Sequence, residues 1–221
     1  MVFQYSKGTV QMLQYTAISE GTLGLLKQLM FEPALSDFYL VGGTALSLLL
    51  GHRKSFDIDM FTQKEFDAEH LRFSLEGILN MKEKKHQTNT LRFNAEFPMS
   101  SDNWIKVELI RYNYPNLLPI VEEDGIRLLS IEDIIPMKLS SIVNRGVKRD
   151  FYDIYFLLEK FSISEMMELY DRKFQKNNHL HVLKSLTYFD DADGDEDPVL
   201  LKKADWSNVK NRIIESVKTL I

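Results

Sequence analysis

Two glycines set between a short apolar run and an apolar segment of helical length leave the backbone few choices. Phe38, Tyr39, Leu40 and Val41 read as a buried strand, Gly42-Gly43-Thr44 as a tight turn, and residues 45–50 as the helix that follows. Glycines let a backbone approach a bound group closely, and the unpaired N–H groups of a helix start favour an anion such as phosphate. Beyond Thr44 and twelve intervening residues stands Asp57, in the segment Phe56-Asp57-Ile58-Asp59-Met60-Phe61. Period two puts Asp57 and Asp59 on one strand face and Ile58 and Met60 on the other. Two carboxylates so placed repel each other. A divalent cation removes the repulsion, and magnesium prefers hard oxygen ligands with part of its shell left to substrate phosphate. Either half of the pattern alone is common, as an ordinary turn or a solvated strand edge. On consecutive elements, the two halves read together as a phosphate cradle beside a metal pair.

These residues carry a resemblance. Gly42-Gly43-Thr44-x12-Asp57-x-Asp59 resembles the signature of the nucleotidyltransferase superfamily. Leu40-Val41-Gly42-Gly43-Thr44-Ala45-Leu46, with His52-Arg53-x-Ser55-x-Asp57-Ile58-Asp59, is similar to its AbiEii/AbiGii toxin branch, as are the later Lys138-Leu139 and Arg149-Asp150-x-x-Asp153. The resemblance implies an NTP substrate held by Gly42, Gly43 and Thr44, and Mg²⁺ on Asp57 and Asp59. It further implies Lys138 and Arg53 on phosphate oxygens and Ser55 steadying the loop. Asp150 becomes a candidate catalytic residue beside Asp57, Asp59 and Lys138, while Asp153 looks structural. In this superfamily a third carboxylate usually comes from a later strand, more often Asp than Glu. Glu108 is therefore either a metal ligand acting from slightly further back or a solvent-facing strand residue. In the toxin branch the acceptor is expected to be RNA, a tRNA end, with a cognate antitoxin as partner.

Composition excludes several other chemistries. The chain has 221 residues, 44% hydrophobic and 27% charged, which fits a soluble globular protein. Cysteine is absent, so there is no disulfide framework, thiolate metal site or cysteine nucleophile. No apolar run reaches the roughly 18 residues of a membrane span and no basic-then-apolar leader opens the chain, so the expected address is the cytoplasm. A net charge of −5 argues against coating nucleic acid through bulk charge, and leaves that role to local patches. Arg145, Lys148 and Arg149, near Lys138, form one such patch, and Lys82, Lys84 and Lys85 form another.

Along the chain, residues 1–36 read as helical, with Ile18, Leu25, Leu26 and Leu29 on one face and Gly21 and Gly24 as interruptions. Thr62-x-x-Glu65 reads as a capping box for a helix whose stripe is Leu71, Leu75, Ile78 and Leu79. Residues 91–97 and 105–109 alternate as two neighbouring half-buried strands. A loop at residues 114–125 precedes a helix capped by Ser130, in which Pro136 is expected to introduce a kink near Lys138. Ser162-x-x-Glu165 caps another helix, and Trp206, Val209, Ile213 and Val217 mark the last one. The acidic run 190–197 fails as an EF-hand, because aligning Gly194 with the sixth loop position puts Phe189 at the first ligand; it reads as an exposed loop. The expected fold is α/β (α+β): a nucleotidyltransferase-like small mixed sheet with flanking helices over residues 1–125, then a helical half over 126–221. The expected activity is Mg²⁺-dependent transfer of NMP from an NTP to RNA. The alternatives are a small-molecule, antibiotic-modifying transferase and a catalytically lapsed nucleotide- or antitoxin-binding protein.

Overall fold

The computed structural model describes residues 12–97, 104–175 and 179–220. Helix α1 (Glu20–Phe31) starts at Ser19, whose hydroxyl accepts from Thr22 N at 3.0 Å. It runs unbroken through both glycines. Gly24 is needed there for contact, since a Cβ would stand 2.4 Å from the Phe97 ring. The expectation for residues 1–11 lies outside the described residues.

Strand β1 (Tyr39–Leu40) leads into α2 (Gly42–Leu50), and β2 (Ile58–Thr62) follows. Then come α3 (Ala68–Glu76), β3 (Met81–Gln87), β4 (Thr90–Glu96) and β5 (Trp104–Arg111). The short hairpin β6 (Val121–Glu123) and β7 (Ile126–Leu128) completes a seven-stranded mixed sheet of order β3-β4-β5-β2-β1-β7-β6. The central strands are parallel where the site is built. β2 pairs β5 with Asp59 opposite Glu108, and β1 pairs β7, while β1 and β2 are antiparallel. The neighbouring strands expected at 91–97 and 105–109 are β4 and β5, paired antiparallel.

Several local expectations are corrected. α3 is capped by Asp67, which accepts from Glu69 N and His70 N, and not by Thr62. Thr62 closes β2, and Ile78 lies beyond the helix end and is exposed. The sheet also continues past residue 125. Asp124 and Gly125, at φ of 50° and 75°, form a two-residue turn between β6 and β7, the backbone that an Asp-Gly pair favours in a hairpin.

The remaining elements are helices: α4 (Ile131–Arg145), α5 (Lys148–Leu157), α6 (Ile163–Phe174), α7 (His179–Leu186), α8 (Asp190–Asp193) and α9 (Trp206–Lys218). Ser130 caps α4 as expected, and the helix continues through Pro136. Ser162 and Glu165 form the full reciprocal capping box of α6. Val209, Ile213 and Val217 of α9 are buried. The core is continuous from Leu25 and Leu46 through Ile58 and Val107 to Leu139, Ile154 and Ile213, so the helices pack on the sheet side that carries α2. Among the described residues, no helix is long and apolar enough to cross a membrane.

Candidate active site

The start of α2 is the first wall of a cleft of about 320 Å³. Gly42 opens the helix at φ +68°, a conformation that costs any side-chain-bearing residue energy, and a Cβ there would lie 2.9 Å from Asp59 Oδ2. Val41 offers no side-chain cap to the first-turn amides. Gly43 is held for the same reason of closeness, since its Cβ would meet an Arg53 guanidinium nitrogen at 2.8 Å. Thr44 points the other way. Its buried hydroxyl donates to the Asp57 carbonyl and lies 2.9 Å from Ser55 Oγ, which ties the loop before β2 to the helix start.

Asp57 and Asp59 line the cleft together with Gly42, Gly43 and Ser55. Burial, the Glu108 carboxylate and the Asp57 carboxylate push Asp59 up from 3.8 to about 6. Facing this negative pair is a cationic layer. Lys138 Nζ sits 3.0 Å from Asp150 Oδ1 and 2.6 Å from Asp153 Oδ2. Arg145 holds Asp150 through Nε at 3.0 Å, and Arg53 grips Asp153 through Nε at 2.7 Å and a terminal nitrogen at 2.9 Å. Three cations against two carboxylates leave one net positive charge, and Lys138, Arg145 and Arg53 all reach the cleft. The lining also has an apolar part, with Phe61, Ile110, Ile134 and Met137. Glycine cradle, paired carboxylates, surplus positive charge and an apolar part form the set of features that a nucleoside triphosphate presents in complement.

Comparison with known proteins points the same way. Residues 24–219 match the family described as nucleotidyl transferase AbiEii toxin of type IV toxin–antitoxin systems. The chain belongs to this family. An uncharacterized protein of Aquifex aeolicus (strain VF5) is 35% identical to this AbiEii-family chain over 164 residues, which is 71% of this chain and 76% of the relative. A putative nucleotidyltransferase from H. pylori is similar in structure at a TM-score of 0.58 and 19% identity, covering 91% of this chain and 95% of that one. MenT4, a nucleotidyltransferase toxin of Mycobacterium tuberculosis H37Rv, is similar at 0.58 and 14%, covering 90% and 87%. The two solved structures bear on the fold, and the family on the activity: the AbiEii-family chain is a nucleotidyltransferase.

The expected site residues do not all do the same work. Asp150 is fully buried and does not line the cleft; it holds Lys138 and Arg145. Asp153, expected to be structural, is the buried hub of the layer. Burial alone would raise its pKa, but Arg53, Lys138 and His52 overcome that and hold it well below the ordinary carboxylate range. His52 Nε2 donates to Asp153 Oδ1 at 2.7 Å, and the pKa of His52 is lowered, chiefly by burial. Glu108 stands beside Asp59 on β5 but is already held, with Oε1 2.6 Å from Lys106 Nζ and Oε2 3.3 Å from Arg92 Nε. Despite its burial, those cations lower its pKa. Among the described residues, no group of three or more His, Asp or Glu side chains is arranged to hold a metal.

The basic patch is also divided. Lys148 is buried, its amide bonded to Asp195 Oδ2 at 3.0 Å and its ammonium to the Asp195 carbonyl. The acidic run is therefore more than an exposed loop, since it caps α5 and seats Lys148. Arg149 remains exposed at the cleft mouth. Lys84 pairs with Glu76 at 2.6 Å, and Lys82 lies 4.1 Å over the Trp104 ring. Lys106, which lines the cleft, was not singled out from sequence, although its period-two spacing from Glu108 places both on one strand face.

Proposed function

We propose that this protein transfers a nucleoside monophosphate from an NTP to the terminal hydroxyl of an RNA, a tRNA end, in the cytoplasm, with Mg²⁺ as metal and a cognate antitoxin as protein partner. The observation that carries the reading is Asp59, a carboxylate made unfavourable to ionise by burial, Glu108 and Asp57, standing against the glycine cradle. The donor set fits a divalent cation, because Asp57 and Asp59 supply hard oxygens where the fold concentrates uncompensated negative charge. When bound, Mg²⁺ would neutralise the carboxylates and the α-phosphate and so lower the barrier to displacement.

The chain's own groups do the positioning. Gly42 and Gly43 admit the triphosphate to the backbone N–H groups of α2, while Thr44 and Ser55 fix the loop that carries Asp57 from behind. Lys138 and Arg145, oriented by Asp150 and Asp153, present positive charge to the phosphate oxygens before the substrate arrives, so little reorganisation is needed as charge builds on the leaving pyrophosphate. The acceptor oxygen attacks the α-phosphorus, the bond to the pyrophosphate oxygen breaks, and the acceptor's proton goes to the carboxylate pair. The apolar part at Phe61, Ile110, Ile134 and Met137 is left for the nucleoside.

The test is incubation with Mg²⁺, each α-labelled NTP in turn, and either total cellular RNA or an aminoglycoside-type small molecule. Label on RNA supports the reading. Label on an aminoglycoside-type small molecule but not on RNA moves the acceptor to the small-molecule class, and label nowhere removes transfer altogether.

A further inference from the structure

Resting on the RNA reading above, we infer that a second cleft, which also has Asp57 in its wall, is the seat of the acceptor's 3′-terminal nucleotide, with Phe56 as the surface on which its base stacks. This cleft, of about 430 Å³, shares Arg53, Ser55, Asp57 and Arg149 with the first. Asp57 thus faces two chambers, and an in-line displacement needs the donor phosphate and the attacking hydroxyl on opposite sides of the reacting phosphorus. The first chamber has the glycine cradle and the cations suited to a triphosphate. The second has no glycine cradle, and its cations are Arg53, Lys54 and Arg149 set against Asp57, Asp195 and Glu196, which suits a nucleotide that brings one phosphate and one hydroxyl.

The outer wall is built by pairing across the chain. Lys54 N donates to the Val199 carbonyl at 2.7 Å, Leu201 N donates to the His52 carbonyl at 2.8 Å, and Arg53 bridges Leu200. This pairing brings Pro198 and Val199 opposite Phe56 and the loop before β2. Phe56 is 60% exposed although it lies only two residues before the start of β2, and Val199 is 58% exposed, so apolar surface is left open next to the carboxylate pair. An exposed ring takes any base by stacking, which suits an acceptor read by position more than by sequence.

Charge decides how much of the RNA fits. Arg149 is exposed and, among the described residues, has no ion pair, so it is free for the terminal nucleotide's 5′ phosphate. Asp195 and Glu196 line the far wall. Asp195 is occupied by the Lys148 amide, leaving Glu196 as the acid that faces incoming phosphate. A continuous run of phosphates is repelled there, and one terminal nucleotide is not. In the reaction the 3′-hydroxyl oxygen forms a bond to the α-phosphorus, the bond to pyrophosphate breaks with its electron pair on pyrophosphate, and the proton passes to the carboxylate pair.

The experiment measures transfer of label from the preferred NTP to purified cellular RNA, with and without periodate treatment of the RNA 3′ ends, for wild type, Phe56→Ala and Phe56→Trp. NTP affinity is measured by calorimetry alongside. Phe56 lies outside the NTP cleft and is exposed, so neither variant disturbs the core. The expected result is a KM for RNA raised roughly tenfold or more in Phe56→Ala, with unchanged NTP affinity, recovery in Phe56→Trp, and no transfer to periodate-treated RNA. If wild type labels RNA and Phe56→Ala keeps the wild-type KM, or if only kcat falls, this inference is overturned and the RNA reading stands. Label retained on periodate-treated RNA also overturns it. If wild type labels no RNA, both fall.

Discussion

Replacing Asp59 by Asn removes a charge that the fold holds at a cost, and the size of that cost follows from the site. Burial, Glu108 and Asp57 raise this carboxyl from 3.8 to about 6. At roughly 1.36 kcal/mol per pH unit, ionised Asp59 therefore opposes folding by about 3 kcal/mol once the pH is well above 6. The native chain holds its proton longer than the unfolded chain, so between about pH 4 and 6 stability falls as pH rises, and below 4 the penalty is absent. Asn carries no such term. Asp59→Asn should then be more stable than wild type at pH 8 by as much as ~3 kcal/mol, a rise of several degrees in Tm for a chain of this length. The difference should shrink towards zero near pH 4. Mg²⁺ should raise the wild-type Tm more than the variant's, and transfer should be lost. Paired melting curves at pH 4, 6 and 8 decide the matter. A variant less stable than wild type at pH 8, or a difference that does not change with pH, would refute the account of Asp59 as an electrostatically opposed carboxylate.

The other expectations concern the groups around it. Gly43→Val forces a branched side chain against Arg53, whose guanidinium is fixed by Asp153, so NTP affinity measured by calorimetry should fall by more than the melting temperature suggests; unchanged affinity would mean the turn is only a turn. Asp153→Asn leaves Arg53 buried without its counter-charge and Lys138 with Asp150 alone, and should destabilise by about 3–5 kcal/mol in denaturant titrations. Because the Asp153 pKa is depressed, its contribution is present above the ordinary carboxylate range and is lost as pH falls through the lower folded value, so the variant's deficit should narrow in acid. Lys148→Ala should lower stability with little effect on the salt dependence of RNA binding, whereas Arg149→Ala should flatten that slope by roughly 0.7 for one lost phosphate contact; equal slopes for both would return Lys148 to the RNA-facing patch.

What could be read from sequence was local. Gly42-Gly43 and the pair Asp57 and Asp59 describe neighbouring backbone; the glycines open α2, Asp59 lies in β2 and Asp57 just before that strand, and all four line one cleft. The division of labour among the other polar residues depends on long-range pairing that no spacing encodes. Asp153 meets Arg53 across 100 positions and Lys148 meets Asp195 across 47. Thr44 was expected on phosphate because hydroxyls follow glycines in such cradles, but its direction is set by the carbonyl of Asp57, which the loop brings behind it. Thr62 was expected to cap a helix, but it lies in the last position of a strand, and Asp67, five residues on, has the extended backbone and free amides a cap requires. Glu108 was legible as a strand carboxylate near the pair; Lys106, which holds it, lies two residues away on the same strand, while its capture by Arg92 follows from the register of β4 on β5.

The seam between residues 52–54 and 199–201 has a practical consequence. Residues 199–201 supply one side of the loop that presents Asp57, and they do so through backbone hydrogen bonds that survive any side-chain substitution short of proline at a donor. The sheet and the segment after α8 are therefore joined at this seam. A protein cut between α7 and α8 is expected to lose activity and to regain it when the two pieces dock. That makes the seam a natural place to build a conditional enzyme, silent as separate fragments and switched on by whatever brings them together.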